Sequence, residues 1–237
     1  MSGALEPRLI GELLALFVHD LRNPLSALSS NVRFVEQSCA TRDADVAEAL
    51  RDSSAACVGI AHFAENLNLF ARVLAEGRGR TATRLCIDTV VATAVRRMVA
   101  IASSHRVELS LEGTAGEREG HAFAESELFA LLVTNLIRNG IEHAPAETTV
   151  VVAIQRDEHE GTVSVIDGGP PLDVGLLERA FTAEGQLVAK GLAAGRYGRG
   201  LGLYAARLAA DAVGARLRAE TTPDGRSRLA LAVPLVA

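Results

Sequence analysis

From Leu14 onward, apolar residues recur at steps of three and four: Phe17 or Val18, Leu21, Leu25, Leu28, Val32 and Val35. That spacing lines one stripe of a helix and is incompatible with a strand. Pro24 lies inside the stripe, and its missing N–H is expected to kink or loosen one turn. Ser38–Asp43 (SCATRD) interrupts the pattern, and Val46, Leu50, Cys57, Ile60, Leu67, Phe70 and Leu74 then form a second stripe. Residues 1–76 therefore predict an antiparallel helical hairpin. One hairpin leaves an apolar face uncovered, so pairing with a second copy into a four-helix bundle is expected.

The texture changes at Glu76–Thr83 (EGRGRTAT), which holds two glycines and two arginines but no large apolar residue. Residues 77–83 are expected to be a linker and 84–237 a second domain. Strands are predicted at Arg84–Ile87, Val107–Leu111, Thr149–Gln155 and Thr162–Ile166, with a closing hairpin of Ala215–Glu220 and Arg228–Val233 around Pro223-Asp224-Gly225. Helices are predicted from an Asp88 N-cap to about Ser103, over Leu128–Ile141 and over Leu203–Ala212, with a turn at Gly113–Gly120. The fold class is thus α+β: a helical hairpin followed by an α/β sandwich with helices on a mixed sheet.

Composition narrows the function. The chain is 49% hydrophobic with a net charge of −5, and aromatics are 4% with no Trp. A broad nucleic-acid surface and base-stacking platforms are both disfavoured, so no nucleic-acid partner is expected. Cys39, Cys57 and Cys86 form neither an even set nor a CxxC pair, which fits a reducing cytoplasm. The longest apolar runs, Leu13–Val18 and Leu229–Ala237, fall far below the roughly 18 residues of a spanning helix. Direct membrane insertion is not expected, and any stimulus would arrive through another molecule, such as a separate sensor protein.

The hairpin carries the run His19-Asp20-Leu21-Arg22-Asn23-Pro24-Leu25. A neutral imidazole is a competent nucleophile, and an adjacent carboxylate can orient it and take its proton. Asn23 lies one helical turn beyond His19, where its amide could hold a water or a phosphoryl oxygen. HDLRNPL resembles the H-box of two-component histidine kinases. The resemblance implies that His19 is the phosphorylated residue, that Asp20 assists its deprotonation and that Asn23 positions water for dephosphorylating the partner.

Three further islands follow. Asn135 and Asn139 are four apart on one face of an otherwise apolar helix, and neutral amide oxygens suit a Mg²⁺ already neutralised by phosphates. The run Asn135–His143 (NLIRNGIEH) resembles the family's N-box. That likeness implies that Asn139 ligates the metal, with Asn135 nearby and His143 at the end of the box. Glu142 stands where many relatives have a phosphate-meeting Lys.

Asp167-Gly168-Gly169-Pro170-Pro171 ends a predicted strand, so it puts a carboxylate beside open backbone, although a plain β-turn would have the same residues. It resembles the G1 box, with Asp167 as the adenine-reading acid, Gly169 as the first glycine and Pro171 replacing the second. Gly198-Arg199-Gly200-Leu201-Gly202-Leu203 precedes a helix, so its backbone N–H groups can approach phosphate. It resembles the G2 box. Phe181 resembles the F-box residue of a lid reaching to Tyr197, and Lys190, Arg196 and Arg199 are candidate phosphate cations or simply solvated loop charges.

The resemblance covers about residues 10–235. It implies autophosphorylation of His19 from Mg-ATP, transfer to an Asp of a response-regulator receiver domain, and a homodimer. The alternative is a phosphotransferase or phosphatase scaffold whose rear domain no longer binds ATP. Among the other histidines, His62 is expected to pack at the apolar stripe, and His105, His121 and His159 lie near turns.

Overall fold

The computed structural model describes residues 10, 20–21, 23–28, 30–32, 34–35, 44–76, 82–113, 120–169, 179, 181–185 and 202–236. The described residues between 20 and 35 are helical, including those on both sides of Pro24. Helix α1 then runs over Ala44–Glu76, about 50 Å at 1.5 Å per residue.

The rear of the chain reads β1 (Thr83–Cys86), α2 (Ile87–Ser104), β2 (Glu108–Gly113), β3 (His121–Ala124) and α3 (Ser126–His143). It continues with β4 (Thr149–Arg156), β5 (Glu160–Asp167), α4 (Gly202–Val213), β6 (Arg216–Thr221) and β7 (Ser227–Pro234). Five strands form one sheet in the order β2-β4-β5-β7-β6, and β1 pairs with β3 in a second, two-stranded sheet. Only β2 and β4 run parallel in the larger sheet, which makes it mixed, as expected.

Burial alternates along β4, where Val150, Val152 and Ile154 face the core. The period-two pattern presents them to α3, which carries the fully buried Phe129, Leu132, Leu136 and Ile137. The β6–β7 turn closes as predicted: Thr222 N–H donates to Arg226 O at 2.8 Å, and Gly225 takes φ +84°, where a Cβ would be strained.

Three expectations need correction. Asp88 is not the N-cap of α2; Cys86 occupies that position without a side-chain cap bond. The helix springs directly from β1, and the Asp88 carboxylate instead pairs with the Arg156 guanidinium and accepts from Gly120 N–H. The strand β3 has no counterpart in the sequence reading, because its buried positions are the small Ala122 and Ala124 while its one large apolar residue, Phe123, is exposed. The first half of the stripe on α1 is also displaced. Leu50 is 53% exposed and Cys57 is exposed, whereas Ala49 is buried; Leu67 and Phe70 face the core as expected, joined by His62, Asn66 and Leu69.

The reason for that displacement is that α1 has two working faces. Its C-terminal half lies on α2, α3 and α4, and Leu69 and Phe70 join the same hydrophobic cluster as Ile87, Phe129 and Leu203. The Phe70 ring packs against Tyr204 of α4 with centroids 5.3 Å apart and planes tilted by 39°. Burial pushes the Tyr204 phenol above its ordinary value, and Glu184 and Asp211 add to the effect. Leu50 remains outward, as do Leu25, Val32 and Phe34 of the front helical segment.

Candidate nucleotide site

The site is organised where α3 crosses the end of β5. A Cβ on Gly140 would come within 2.9 Å of Val165 Cγ1 and 3.1 Å of Val150 Cγ1. Glycine at 140 thus lets the helix settle onto the sheet, and it brings the neighbouring Asn139 to the strand end where Asp167 stands; the same Cβ would lie 3.9 Å from Asp167 Cβ. Asp167 is 1% exposed, and its Oδ1 accepts from Gly169 N–H at 2.8 Å, an Asx-turn that fixes the carboxyl beside the opened backbone.

Asn139 Oδ1 is shielded from solvent and has no hydrogen-bond partner among the described residues. An orphaned amide oxygen of this kind is costly unless a ligand completes it. It is a hard, neutral donor suited to Mg²⁺, an ion that keeps several waters and binds through one or two protein groups plus substrate phosphates. The residues present therefore fit the metal that the sequence implies.

Asn135, one turn earlier and 1% exposed, behaves differently. Its Oδ1 accepts from His62 Nε2 at 3.0 Å and from Asn66 Nδ2 at 3.2 Å. Its Nδ2 donates to Asn66 Oδ1 at 2.9 Å and to Leu131 O at 3.0 Å. Both lone pairs and both protons of the amide are consumed. Gly202, the first residue of α4, lies directly over it; a Cβ there would be 2.9 Å from Asn135 Oδ1.

A second tie runs one turn further along. Arg138 Nε donates to Glu142 Oε1 at 2.7 Å, and Arg138 Nη1 reaches Gly59 O of α1 at 3.4 Å. Glu142 is thus spoken for by Arg138. On the His62 ring, Nδ1 stands 3.8 Å from the Glu65 carboxylate. The Glu65 carboxyl is held below its ordinary value, chiefly by His62 and further by Arg97.

The structure brings Asn139, Asp167 and Gly169 to one end of the sheet and sets Asn135 beneath Gly202. His143 lies in the last turn of α3. Phe181 is buried, with the Arg207 guanidinium carbon 5.2 Å from its ring centroid. Asp20 and Asn23 sit on the helical front segment, while His19, Pro171, Lys190, Arg196, Gly198, Arg199, Gly200 and Leu201 lie outside the described residues. A separate groove of about 610 Å³ runs between α1, α2 and α3, lined by Leu69, Thr93, Arg97, Leu131 and Thr134 among others, away from Asn139 and Asp167.

Sequence reasoning left His62 as a packing residue and gave Asn66 no role. The available signal was their spacing of four, which puts two hydrogen-bonding side chains on one helical face just ahead of Leu69 and Phe70. None of the helices, among the described residues, is long and apolar enough to cross a membrane.

Residues 124–237 match the family described as histidine kinase-, DNA gyrase B-, and HSP90-like ATPase. The chain is 25% identical to the adaptive-response sensory kinase SasA of Microcystis aeruginosa, over 94% of its own length and 59% of the relative's. It thus spans about six-tenths of the curated relative it matches. Among solved structures, full-length ShkA in complex with AMPPNP superposes with a TM-score of 0.60 at 16% identity, covering 96% of this chain and 46% of that one. The Acinetobacter baumannii histidine kinase AdeS gives a TM-score of 0.56 at 12% identity, covering 92% of this chain and 98% of that one. Residues 124–237 thus match a histidine kinase-, DNA gyrase B-, and HSP90-like ATPase domain, and the N-box helix and the strand-end acid both fall inside it.

Proposed function

We propose that the chain is an ATP-dependent protein-histidine kinase that phosphorylates His19 and passes the group to an Asp of a response-regulator receiver domain. The observation that carries the reading is the orphaned Asn139 Oδ1 in a domain that matches this ATPase family, on the helix whose next residue, Gly140, packs against the strand ending in the buried Asp167. Asn139 Oδ1 would hold Mg²⁺, and the Asp167 carboxylate would accept from the exocyclic amine of adenine. Backbone N–H groups of Gly198, Gly200, Leu201 and Gly202 would receive phosphate oxygens at the start of α4, where the helix dipole favours negative charge. Mg²⁺, when bound, would supply charge neutralisation across the phosphates.

The chain's own chemistry is then nucleophilic. A nitrogen of the His19 ring attacks the γ-phosphorus in line, the bond to the bridging oxygen breaks, and the displaced proton of the imidazole passes to Asp20 or to water. Positioning supplies most of the rate. In a separate reaction, Asn23 would orient water to attack the regulator's aspartyl phosphate, releasing inorganic phosphate and the free carboxylate. Homodimerisation through the front helices follows from the outward Leu25, Val32, Phe34 and Leu50, which a second hairpin would cover.

The test is incubation with γ-labelled ATP and Mg²⁺. Acid-labile, base-stable label that disappears in His19→Ala and in Asn139→Ala supports the reading. Glu142, paired with Arg138 where relatives have a cation, favours the scaffold alternative. That alternative is supported if the chain neither binds ATP nor labels, yet accepts phosphoryl from a phosphorylated regulator.

A further inference from the structure

The Asn135 side chain touches two things that belong to different parts of the chain. On one side are His62 and Asn66 of the hairpin helix, and on the other is Gly202, the first residue of α4. We propose that His62 and Asn66 are positioning residues for the nucleotide site: through Asn135 they fix the first turn of α4, so that the hairpin and the nucleotide pocket act as one coupled unit. The inference rests on the reading of the α4 N-terminus as a phosphate-binding turn.

The geometry makes Asn135 a rigid intermediary. Its amide has four hydrogen-bonding positions, three of them taken by α1 and one by Leu131 O of its own helix. No rotation of the side chain preserves that set, so the Oδ1 that faces Gly202 is held in place by the hairpin. Gly202 has no side chain to absorb a shift, and a Cβ there would already approach Oδ1 to 2.9 Å. Movement of α1 must therefore displace either the Asn135 amide or the start of α4.

His62 contributes a donor to the bridge. Because Nε2 lies 3.0 Å from an amide oxygen, it carries the proton in that bond, and the Asn66 Nδ2 at 3.4 Å directs its stronger bond to Asn135 instead. Phe70 against Tyr204 and Arg138 on Gly59 O brace the same face of α1 on either side, which gives the coupling a stiff support. By linkage, whatever the hairpin does to the pocket, nucleotide in the pocket does to the hairpin with the same free energy.

The test uses the full chain as wild type, His62→Leu, Asn66→Ala and His62→Gln, the last keeping a donor near the position of Nε2. Hydrogen exchange of the first-turn amides of α4 is read without nucleotide, and ATP affinity is read by competition with a fluorescent analogue. The expected result is faster exchange at residues 203–206 and ATP affinity weakened by roughly five-fold or more in His62→Leu and Asn66→Ala. His62→Gln should return both readouts toward wild type. Exchange at 203–206 that stays at the wild-type rate in both disruptive variants, while α1 itself loosens, overturns the coupling. If instead wild type binds no ATP but the exchange effect is present, the coupling stands and the kinase reading fails.

Discussion

Asn135 and Asn139 stand one turn apart on α3, yet the amide of Asn135 is saturated by four hydrogen bonds while Asn139 Oδ1, also shielded from water, has no partner among the described residues. Two residues of the same type on the same face of one helix have therefore separated into a saturated joint and an unsatisfied acceptor. The saturation of Asn135 follows from what lies across it, His62 and Asn66 of α1.

Their alanine variants should part accordingly. Asn135→Ala strands the donors of His62 and Asn66 in the interior and should cost about 2–4 kcal/mol of unfolding free energy. Asn139→Ala removes an oxygen that already lacks a partner, so its stability should stay within roughly 0.5 kcal/mol of wild type, while Mg-ATP-dependent labelling of His19 is lost. Urea denaturation alongside the labelling assay decides the matter; a large stability loss in Asn139→Ala would mean that its oxygen is satisfied within the fold.

Gly140→Ala tests the crossing that brings Asn139 to Asp167. The new methyl would meet Val165 Cγ1 at 2.9 Å and Val150 Cγ1 at 3.1 Å. Overpacking of this kind costs about 1–3 kcal/mol, and the gain in helix propensity returns at most about 1 kcal/mol. A lower urea midpoint and weaker ATP binding are expected together, because lifting α3 from the sheet moves Asn139 as well. Unchanged ATP binding in a destabilised variant would separate the packing from the site.

Much of this was legible in the chain. Apart from β3, the order of helices and strands from α2 to β7 follows from local periodicity, and the glycine-flanked Asp167 and the Asn pair announced themselves by spacing. The errors share one origin. Asp88 was read as an N-cap because its partner Arg156 lies 68 residues away. His62 was read as packing because Asn135 lies 73 residues away. Local pattern says that a polar side chain sits on an apolar face; it does not say which distant group completes it. The apolar stripe on α1 misplaces Leu50 and Cys57 for the same reason, since only its Leu67–Phe70 end meets a domain that the stripe alone cannot reveal.

Asp167→Asn should retain the fold, since an amide oxygen can still accept from Gly169 N–H at the position Oδ1 now occupies. The charge that would meet the adenine amine is gone. A hydrogen bond to a charged group contributes about 1.5–3 kcal/mol, so ATP affinity should fall by an order of magnitude or more, and the preference for ATP over GTP should shrink. Calorimetric titration with each nucleotide reads both effects. Full retention of ATP preference would remove Asp167 from adenine recognition.

The Glu65–His62 pair gives a pH signature. The Glu65 carboxyl is lowered by His62 first and by Arg97 in addition. A depressed carboxylate contributes its stability in full above the ordinary carboxylate value, and the contribution disappears as pH falls through the lowered one. The urea-midpoint difference between wild type and Glu65→Gln should therefore be present above the ordinary carboxylate value and vanish in acid. It should also be small, because the Glu65 side chain is half exposed and solvent screens the pair. A difference that grows as pH falls would reverse the assignment.

Glu142→Lys sets stability against binding at a single position. In the wild type, Glu142 Oε1 holds the Arg138 guanidinium at 2.7 Å, which leaves Nη1 directed at Gly59 O of α1. Lysine would place a like charge one turn from Arg138 and release that anchor, so the loss is expected to be about 0.5–1.5 kcal/mol. The same substitution supplies a cation where the N-box resemblance implies one, and under the kinase reading ATP affinity should rise while the urea midpoint falls. Loss of both would show that the Arg138 anchor matters more to the pocket than the restored charge, and it would place the Glu142–Arg138 pair alongside Asn135 in the joint between hairpin and nucleotide site.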